Sequence, residues 1–259
     1  MSVTYTVEGD VAVVTLNRPQ VFNSIDQSLT DELGEAFRRA STEARAAVLT
    51  GAGKAFCAGA DLADLLAEYE AGEPDLHKTI TDRFNPAVEA VLGADLPVVA
   101  AVNGVAAGAG MGLALACDIR VMAEPAFFMS AFINVALVPD TGSAWFLPQM
   151  VGVSRAMEIA MSGRRVPSDE ALALGLAVEV ASVDEVVSKA VERATSMADG
   201  PRRAYVETRN IIHQAAASNL EATIAREAEV QGDLGSRPTH REGMTAFVEK
   251  RQPDFRSAD

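Results

Sequence analysis

The sequence is poor in the residues that build metal centres and disulfide frameworks. It has 2 cysteines and 3 histidines in 259 residues. Cys57 and Cys117 lack the spacing of a CxxC or metal-ligand motif, so we expect two reduced, buried thiols. His77, His213 and His240 are scattered along the chain, which argues against a histidine metal site. The sequence therefore predicts no metal ion and no disulfide.

Basic residues are also scarce, with 22 Lys and Arg against 36 Asp and Glu and a net charge of −14. This balance argues against nucleic acid or an anionic membrane as the main partner. The chain shows no basic-then-apolar leader at its start. Its longest weakly charged run, residues 96–123, is interrupted by Asn103, four glycines and Asp118. We therefore predict a strand, a loop and a helix there rather than a membrane span, and a cytoplasmic protein.

Apolar residues recur with two different periods along the first half of the chain. Residues 3–16 alternate around Gly9-Asp10, which indicates a β-hairpin. Residues 26–44 have the spacing of an amphipathic helix, and "AAVLTG" at 46–51 is typical of a buried strand. Because strands and helices then continue to alternate, the sequence predicts an α/β fold.

From about residue 183 the pattern is helical. We predict a core over residues 1–198 and a helical C-terminal region over residues 199–259, which would serve contacts between subunits. No internal repeat of fixed period is visible.

Several familiar catalytic motifs are incomplete in this chain. "TGAGKAF" at 50–56 lacks the spacing of a phosphate-binding P-loop, and "GAGMGL" at 108–113 lacks the last glycine of a dinucleotide fingerprint. No GxSxG nucleophile elbow occurs. "DTGS" at 140–143 is typical of aspartic proteases, but their chemistry needs two aspartates that share a proton, and the chain has one such turn.

Two glycine-containing stretches each lead from a strand into a helix. They are "AFCAGADL" at 55–62 and "VAAGAGMGLAL" at 105–115. Small residues let a ligand approach the backbone, and a helix start leaves amide donors free. Two such turns that face each other form an oxyanion hole. The alternative is that both are only tight connections between strand and helix.

Three motifs, in this order, resemble the crotonase (enoyl-CoA hydratase/isomerase) superfamily. They are "GAGKAFCAGADL", "AAVNGVAAGAGMGLALACDIRVMA" and "EGMTAFVEKRQPDF", and the likeness extends from "LNRP" at 16–19 to "FVEKR" at 247–251. The resemblance implies a spiral of ββα units with a helical C-terminal oligomerisation region, assembled as trimers or dimers of trimers. It also implies an acyl-CoA substrate, as in fatty acid metabolism, with coenzyme A as part of the substrate and no separate cofactor.

The same resemblance assigns the oxyanion hole to two backbone amides, those of Ala60 and Ala109. Many relatives carry glycine at the second position, but alanine retains the N–H group. Contacts to coenzyme A are implied for the backbone of the first turn and for aromatic and basic residues elsewhere. These candidates are Ala58, Asp61, Leu62, Arg18, Lys54, Phe247 and Lys250. For the basic residues, a solvated surface role is the alternative.

The residues that would distinguish members of the family differ from those of its hydratases. Hydratases use two glutamates to activate water, and the matching positions here are Gly112 and Phe132. Neither side chain can transfer a proton. Asp140, in "LVPDTGSAW", matches the acid of the phenylacetate-pathway isomerases, which act on ring-epoxide or dienyl acyl-CoA thioesters. The resemblance therefore implies an isomerase in which Asp140 is the acid-base group.

Other interpretations remain open at this point. Asp140 also suits a turn or a helix N-cap. A related 4-chlorobenzoyl-CoA dehalogenase has an aspartate at the matching position, but carries Trp-His where this chain has Phe132 and Ile133. Hydration with atypical water activation and a catalytically silent acyl-CoA-binding protein are the remaining alternatives.

Overall fold

A computed structural model describes residues 1–72 and 75–258, without the side chains of Leu62, Asp64 and Ala71. The strands are β1 (Val3–Glu8), β2 (Val11–Leu16), β3 (Ala46–Gly51), β4 (Ala55–Cys57), β5 (Val98–Val102), β6 (Val105–Ala107), β7 (Ile119–Ala123), β8 (Phe127–Met129), β9 (Arg165–Pro167) and β10 (Glu179–Ala181). They form two sheets, so the predicted α/β class is confirmed.

Helices fill the connections and the C-terminal part of the chain. They are α1 (Gln27–Glu43), α2 (Leu62–Ala71), α3 (Leu76–Thr79), α4 (Asn85–Leu92), α5 (Ala109–Leu115), α6 (Ser143–Val151), α7 (Val153–Ser162), α8 (Ser168–Ala173), α9 (Val186–Ala198), α10 (Arg202–Ala215), α11 (Leu220–Gly235), α12 (Pro238–Glu249) and α13 (Phe255–Ala258). A π-helical segment, Ile80–Phe84, joins α3 to α4. In the described part of the chain, no helix is both long and apolar enough to cross a membrane.

The chain alternates between the two sheets. The larger sheet has the order β1-β2-β3-β5-β7-β10, and the smaller one has the order β4-β6-β8-β9. Strands β3, β5 and β7 are parallel neighbours in the first sheet, and β4, β6 and β8 are parallel neighbours in the second. Each step along the spiral thus adds one strand to each sheet. The predicted hairpin of β1 and β2 is confirmed.

The core lies between the larger sheet and the helices that cover it. Val98, Val99, Ala100, Ala101 and Val102 of β5 are all fully buried. Such an uninterrupted apolar run is expected of a central parallel strand, which is covered on both faces. Helix α1 begins where the sequence predicts it, because the Asp26 carboxylate accepts a hydrogen bond from the Leu29 N–H at 2.7 Å.

The stretch 124–182, for which the sequence predicts no element, contains β8, α6, α7, β9, α8 and β10. Its three strands have only three residues each, too short to show an alternating pattern. Helix α6 contains Pro148 in its interior, and because proline normally ends a helix, the sequence does not indicate a helix there. The three strands form because they pair with neighbouring strands that are distant in the sequence.

Helix α10 connects the C-terminal region to the core through a buried guanidinium group. Arg209 pairs with Asp118 at 3.3 Å and donates to the carbonyl oxygens of Leu96 and Ala94. On the same helix, His213 makes edge-on ring contact with Trp145 of α6 at 5.3 Å. Helix α10 therefore supports α6, which matters below because α6 follows Asp140 in the chain.

We predict that Asp118→Asn lowers the free energy of unfolding by about 3 kcal/mol, because it leaves the buried Arg209 without its counter-charge. The matched control is Asp233→Asn, which removes the partner of Arg237 from a half-exposed pair at 2.9 Å. Its loss should be under about 0.5 kcal/mol. Urea denaturation of both variants measures the difference, and equal losses would contradict the structural role of Arg209.

Candidate functional site

Three turns meet at one edge of the smaller sheet. Strands β4, β6 and β8 are parallel neighbours, so their carboxyl ends lie side by side. The chain leaves β4 at Ala58, leaves β6 at Gly108 and leaves β8 at Ser130. The two glycine-containing turns and the segment that carries Phe132 are therefore brought together by strand pairing alone.

The first turn, after β4, is anchored to the loop before α1. The Ala58 N–H donates to the Phe22 carbonyl at 3.0 Å, and the Ile25 N–H donates to the Gly59 carbonyl at 2.8 Å. Gly59 has φ +87°, which favours glycine. Within the described residues, the Ala60 N–H has no acceptor. A free amide donor thus lies at the predicted position.

The second turn, after β6, begins helix α5. Gly108 has φ +52°, and its N–H donates to the Met129 carbonyl of the neighbouring strand at 3.0 Å. The Met111 and Gly112 N–H groups close the first helical turn on the Gly108 carbonyl. The Ala109 N–H precedes these bonds and has no acceptor among the described residues, as expected for the first amide of a helix.

The two turns are in direct contact. A methyl group added to Gly59 would lie 2.6 Å from the Ala107 oxygen and 3.0 Å from the Ala109 nitrogen. A methyl group added to Gly110 would overlap the carbonyl of Cys57. Glycine at these two positions is what lets the backbones approach, so the free amides of Ala60 and Ala109 belong to neighbouring turns.

Phe132 lies against the second turn. Its side chain is buried, and its ring carbons Cε1 and Cζ would be 3.9 Å from a methyl group on Gly108. It belongs to a short 3-10 helix, Ala131–Val135. An apolar ring therefore lies against the start of α5.

Asp140 lies in a tight turn that ends at the start of α6. The Ser143 N–H donates to the Asp140 carbonyl at 2.8 Å, and the Thr141 hydroxyl donates to its carboxylate. Burial raises the pKa of Asp140 above its usual value, and the bond from Thr141 opposes this by stabilising the charged form. Val138 is 79% exposed and does not cover the acid.

The Asp140 turn packs on helix α5 one helical turn beyond Ala109. A methyl group on Gly112 would meet Thr141 Cβ and Ser143 Oγ at 2.9 Å and would overlap the Thr141 carbonyl oxygen. The structure thus brings together the first turn, the second turn, Phe132, Gly112 and the Asp140 turn. Its arrangement suits the removal and return of one proton next to a stabilised oxyanion.

Thr141 and Ser143 are site residues that sequence reasoning missed. Thr141 is buried and has φ +54°, an unusual backbone conformation for a β-branched residue. Ser143 is buried, and its Oγ has no hydrogen-bond partner in the described residues. The "DTGS" pattern indicates a turn, but it does not reveal that the turn packs on Gly112.

The predicted contacts to coenzyme A are spread more widely. Asp61 caps α2 by accepting from the Ala63 N–H at 3.2 Å, and the side chain of Leu62 lies outside the described residues. Arg18 pairs with Asp26 at 3.1 Å and donates to the Ser24 carbonyl at 2.6 Å. These two contacts hold the guanidinium group of Arg18 and partly neutralise its charge.

The remaining candidates are exposed. Lys54 precedes β4, at the end of the strand opposite Ala60. Phe247 is 81% exposed on α12, and Lys250 ends that helix with φ +56°. The roles of all these residues in binding coenzyme A stay predictions.

The chain matches known proteins along nearly its whole length. Residues 6–258 match the model of the enoyl-CoA hydratase/isomerase family. A Rhodobacter capsulatus protein named "Probable enoyl-CoA hydratase" is 41% identical over 98% of this chain and 97% of its own. The 1,2-epoxyphenylacetyl-CoA isomerase of Escherichia coli is 35% identical over 96% of both chains.

Solved structures give the same result for the fold. The crystal structure of an enoyl-CoA hydratase from Polaromonas superposes with a TM-score of 0.91 at 31% identity, over 97% of this chain and 98% of that one. An enoyl-CoA hydratase from Bacillus anthracis superposes with a TM-score of 0.89 at 32% identity, over 98% of both chains.

We predict that Asp140→Asn raises the thermal unfolding midpoint at pH 7. A carboxyl group whose pKa is raised by folding stabilises the protein only when protonated, so its contribution is lost as pH rises through the folded-state pKa. The increase in the unfolding midpoint over wild type should vanish below about pH 3.8, the usual pKa of an aspartate. Scanning calorimetry across this range, with the exposed Asp184→Asn as control, tests this; a lower midpoint at pH 7 would contradict a half-buried acid that folding destabilises in its ionised form.

Proposed function

The chain belongs to the enoyl-CoA hydratase/isomerase family and has its crotonase fold, and we propose that within this family it is an acyl-CoA isomerase. It shifts a double bond or rearranges a ring in a coenzyme A thioester. The observation that carries this proposal is the packing of the Asp140 turn on α5 at Gly112, just beyond Ala109. In the proposed site, one carboxylate acts together with two free amides.

Those two amides bind the thioester carbonyl. The oxygen accepts hydrogen bonds from the Ala60 and Ala109 N–H groups, which have no other acceptor in the described residues. Negative charge develops on this oxygen when a proton leaves the neighbouring carbon, and each well-placed donor contributes about 3 kcal/mol to the transition state. Because the donors are fixed by strand pairing, they need no reorganisation during the reaction.

Asp140 moves the proton. Its carboxylate removes a proton from the carbon next to the thioester carbonyl, which leaves an enolate conjugated with the double bond. The same carboxyl group then returns the proton further along the acyl group, and the double bond shifts toward the carbonyl. Burial, which raises the pKa of Asp140, makes it a stronger base than an exposed aspartate.

Substrate recognition needs no separate cofactor in this proposal. Coenzyme A is part of the substrate, and its nucleotide portion would contact Ala58, Asp61 and the exposed Phe247 and Lys250. The last two would act across an interface in a trimer or a dimer of trimers. Among the described residues, no cluster of His, Cys, Asp or Glu could hold a metal ion, and the mechanism uses none.

Enoyl-CoA hydration is the second candidate, and the name of the 41% identical Rhodobacter capsulatus relative favours it. Against it stand Gly112 and Phe132, which cannot activate water at the positions of the hydratase acids. The 35% identical Escherichia coli isomerase supports the first candidate. A catalytically silent acyl-CoA-binding protein is the third, and measurements of turnover separate all three.

We predict that the protein converts a 3-enoyl-CoA to the conjugated 2-enoyl-CoA, seen as an increase in ultraviolet absorbance. Asp140→Asn should reduce kcat by about 10²–10⁴-fold, the usual contribution of a positioned acid-base group. A 2-enoyl-CoA run in parallel should keep its chromophore. Loss of that chromophore with an untouched 3-enoyl-CoA would mean hydration, and acyl-CoA binding without either reaction would mean a silent protein.

The pH dependence of the reaction tests the role of Thr141. Activity should rise with pH through the raised pKa of Asp140, because the base must be ionised. Thr141→Val removes the hydrogen bond that stabilises the carboxylate and should move this rise to higher pH, whereas Thr141→Ser keeps the hydroxyl and the wild-type profile. Steady-state kcat/KM between about pH 4 and 9 gives the comparison; identical profiles for all three proteins would contradict a role of Thr141 in stabilising the catalytic carboxylate.

A further inference from the structure

Gly112 lies in α5, where the helix meets the Asp140 turn. The Cα of Gly112 faces the backbone carbonyl of Thr141 and the side chains of Thr141 and Ser143. A methyl group there would be 2.9 Å from both Thr141 Cβ and Ser143 Oγ, closer than packed atoms normally approach, and would overlap the carbonyl. The nearest of these atoms belongs to the backbone, so no side-chain rotation makes room.

The turn that packs on Gly112 has an unfavourable backbone conformation. Thr141 and Gly142 both have positive φ, at +54° and +74°. Glycine adopts this region freely, but a β-branched residue does so only when its surroundings hold it there. Thr141 is buried, and its carbonyl oxygen and Cβ lie against Gly112 of α5.

Hydrogen bonds alone do not explain how the turn is held. The Ser143 N–H closes the turn on the Asp140 carbonyl, and the Thr141 hydroxyl bonds to the Asp140 carboxylate. Both bonds lie within the turn, and the Trp145 and Phe146 N–H groups, which donate to the Gly142 carbonyl at 2.9 Å, attach it to α6 but not to α5. The Ser143 hydroxyl, which faces Gly112, has no partner in the described residues. Packing on Gly112 is therefore what fixes the turn against α5.

We propose that Gly112 is a positioning residue: the space left by its missing side chain holds the Asp140 turn and aims the carboxylate at the substrate. This inference rests on the proposed isomerase function. In this structure a side chain at position 112, such as that of a glutamate, would displace the Asp140 turn from its present place.

The test compares two alanine substitutions of helical glycines. Gly112→Ala displaces the turn, whereas Gly232→Ala lies on the exposed face of α11 with nothing within 4 Å of the new methyl group. Both changes favour the helix equally. Gly112→Ala should lower kcat about 100-fold, as misplacement by about 1 Å does, with little change in KM. Gly232→Ala should behave as wild type.

An unchanged kcat for Gly112→Ala would overturn the proposal, and so would an equal loss in both variants. If Gly112→Ala does not fold, the same substitution is made together with Thr141→Gly, which removes the Thr141 Cβ and lets the backbone of the turn, with the carbonyl that would overlap the new methyl group, move away. The double variant should have a much lower kcat than Thr141→Gly alone. Equal values would overturn the proposal.

A second readout does not depend on activity and separates this inference from the proposed function. Asp140→Asn should raise the unfolding midpoint of the wild-type protein but not that of Gly112→Ala, in which the displaced acid is solvated. If wild type turns over no 3-enoyl-CoA, the function fails while this non-additivity still supports the positioning role. Additive shifts in the midpoint would contradict it.

Discussion

Parallel pairing of three short strands determines the geometry of the candidate site. Because β4, β6 and β8 run in the same direction, the turns that follow them lie at one edge of the sheet. Glycine at positions 59 and 110 then lets the first two turns touch. This contact places the free amides of Ala60 and Ala109 on neighbouring turns, and the placement of Phe132 follows from the same edge.

The acid is positioned by a different set of forces. Asp140 lies on a turn with two consecutive residues of positive φ, and its environment raises the pKa of the carboxyl group by burial. Both features cost stability, and proteins tolerate such costs mainly at functional positions. Helix α10 supports α6, the helix that follows the Asp140 turn. Arg209 attaches α10 to the core, and His213 of α10 contacts Trp145 of α6. Core packing thus supports an unfavourable turn.

Sequence reasoning predicted the parts of the molecule that depend on local pattern. The β1–β2 hairpin, α1 and the α/β class follow from periodicity and turn chemistry. The family follows from motifs distributed over the chain. What local pattern does not contain is the contact between distant segments: the strands of residues 124–182 are too short to be periodic, and the packing of Thr141 on Gly112 joins residues far apart in the sequence. Arg18 is predicted from the sequence to supply positive charge for coenzyme A, but its pairing with Asp26 appears only in the fold.

The central claim is that one carboxyl group both removes and returns the proton. It is tested most directly with a 3-enoyl-CoA that carries deuterium on the carbon next to the thioester carbonyl. Magnetic resonance of the 2-enoyl-CoA product, formed in ordinary water, locates the label. If one half-buried carboxyl group carries the deuteron, part of the deuterium should reappear on the carbon that gains hydrogen. Asp140→Asn should then form no product. Complete replacement by solvent hydrogen, with Asp140→Asn still active, would contradict the account.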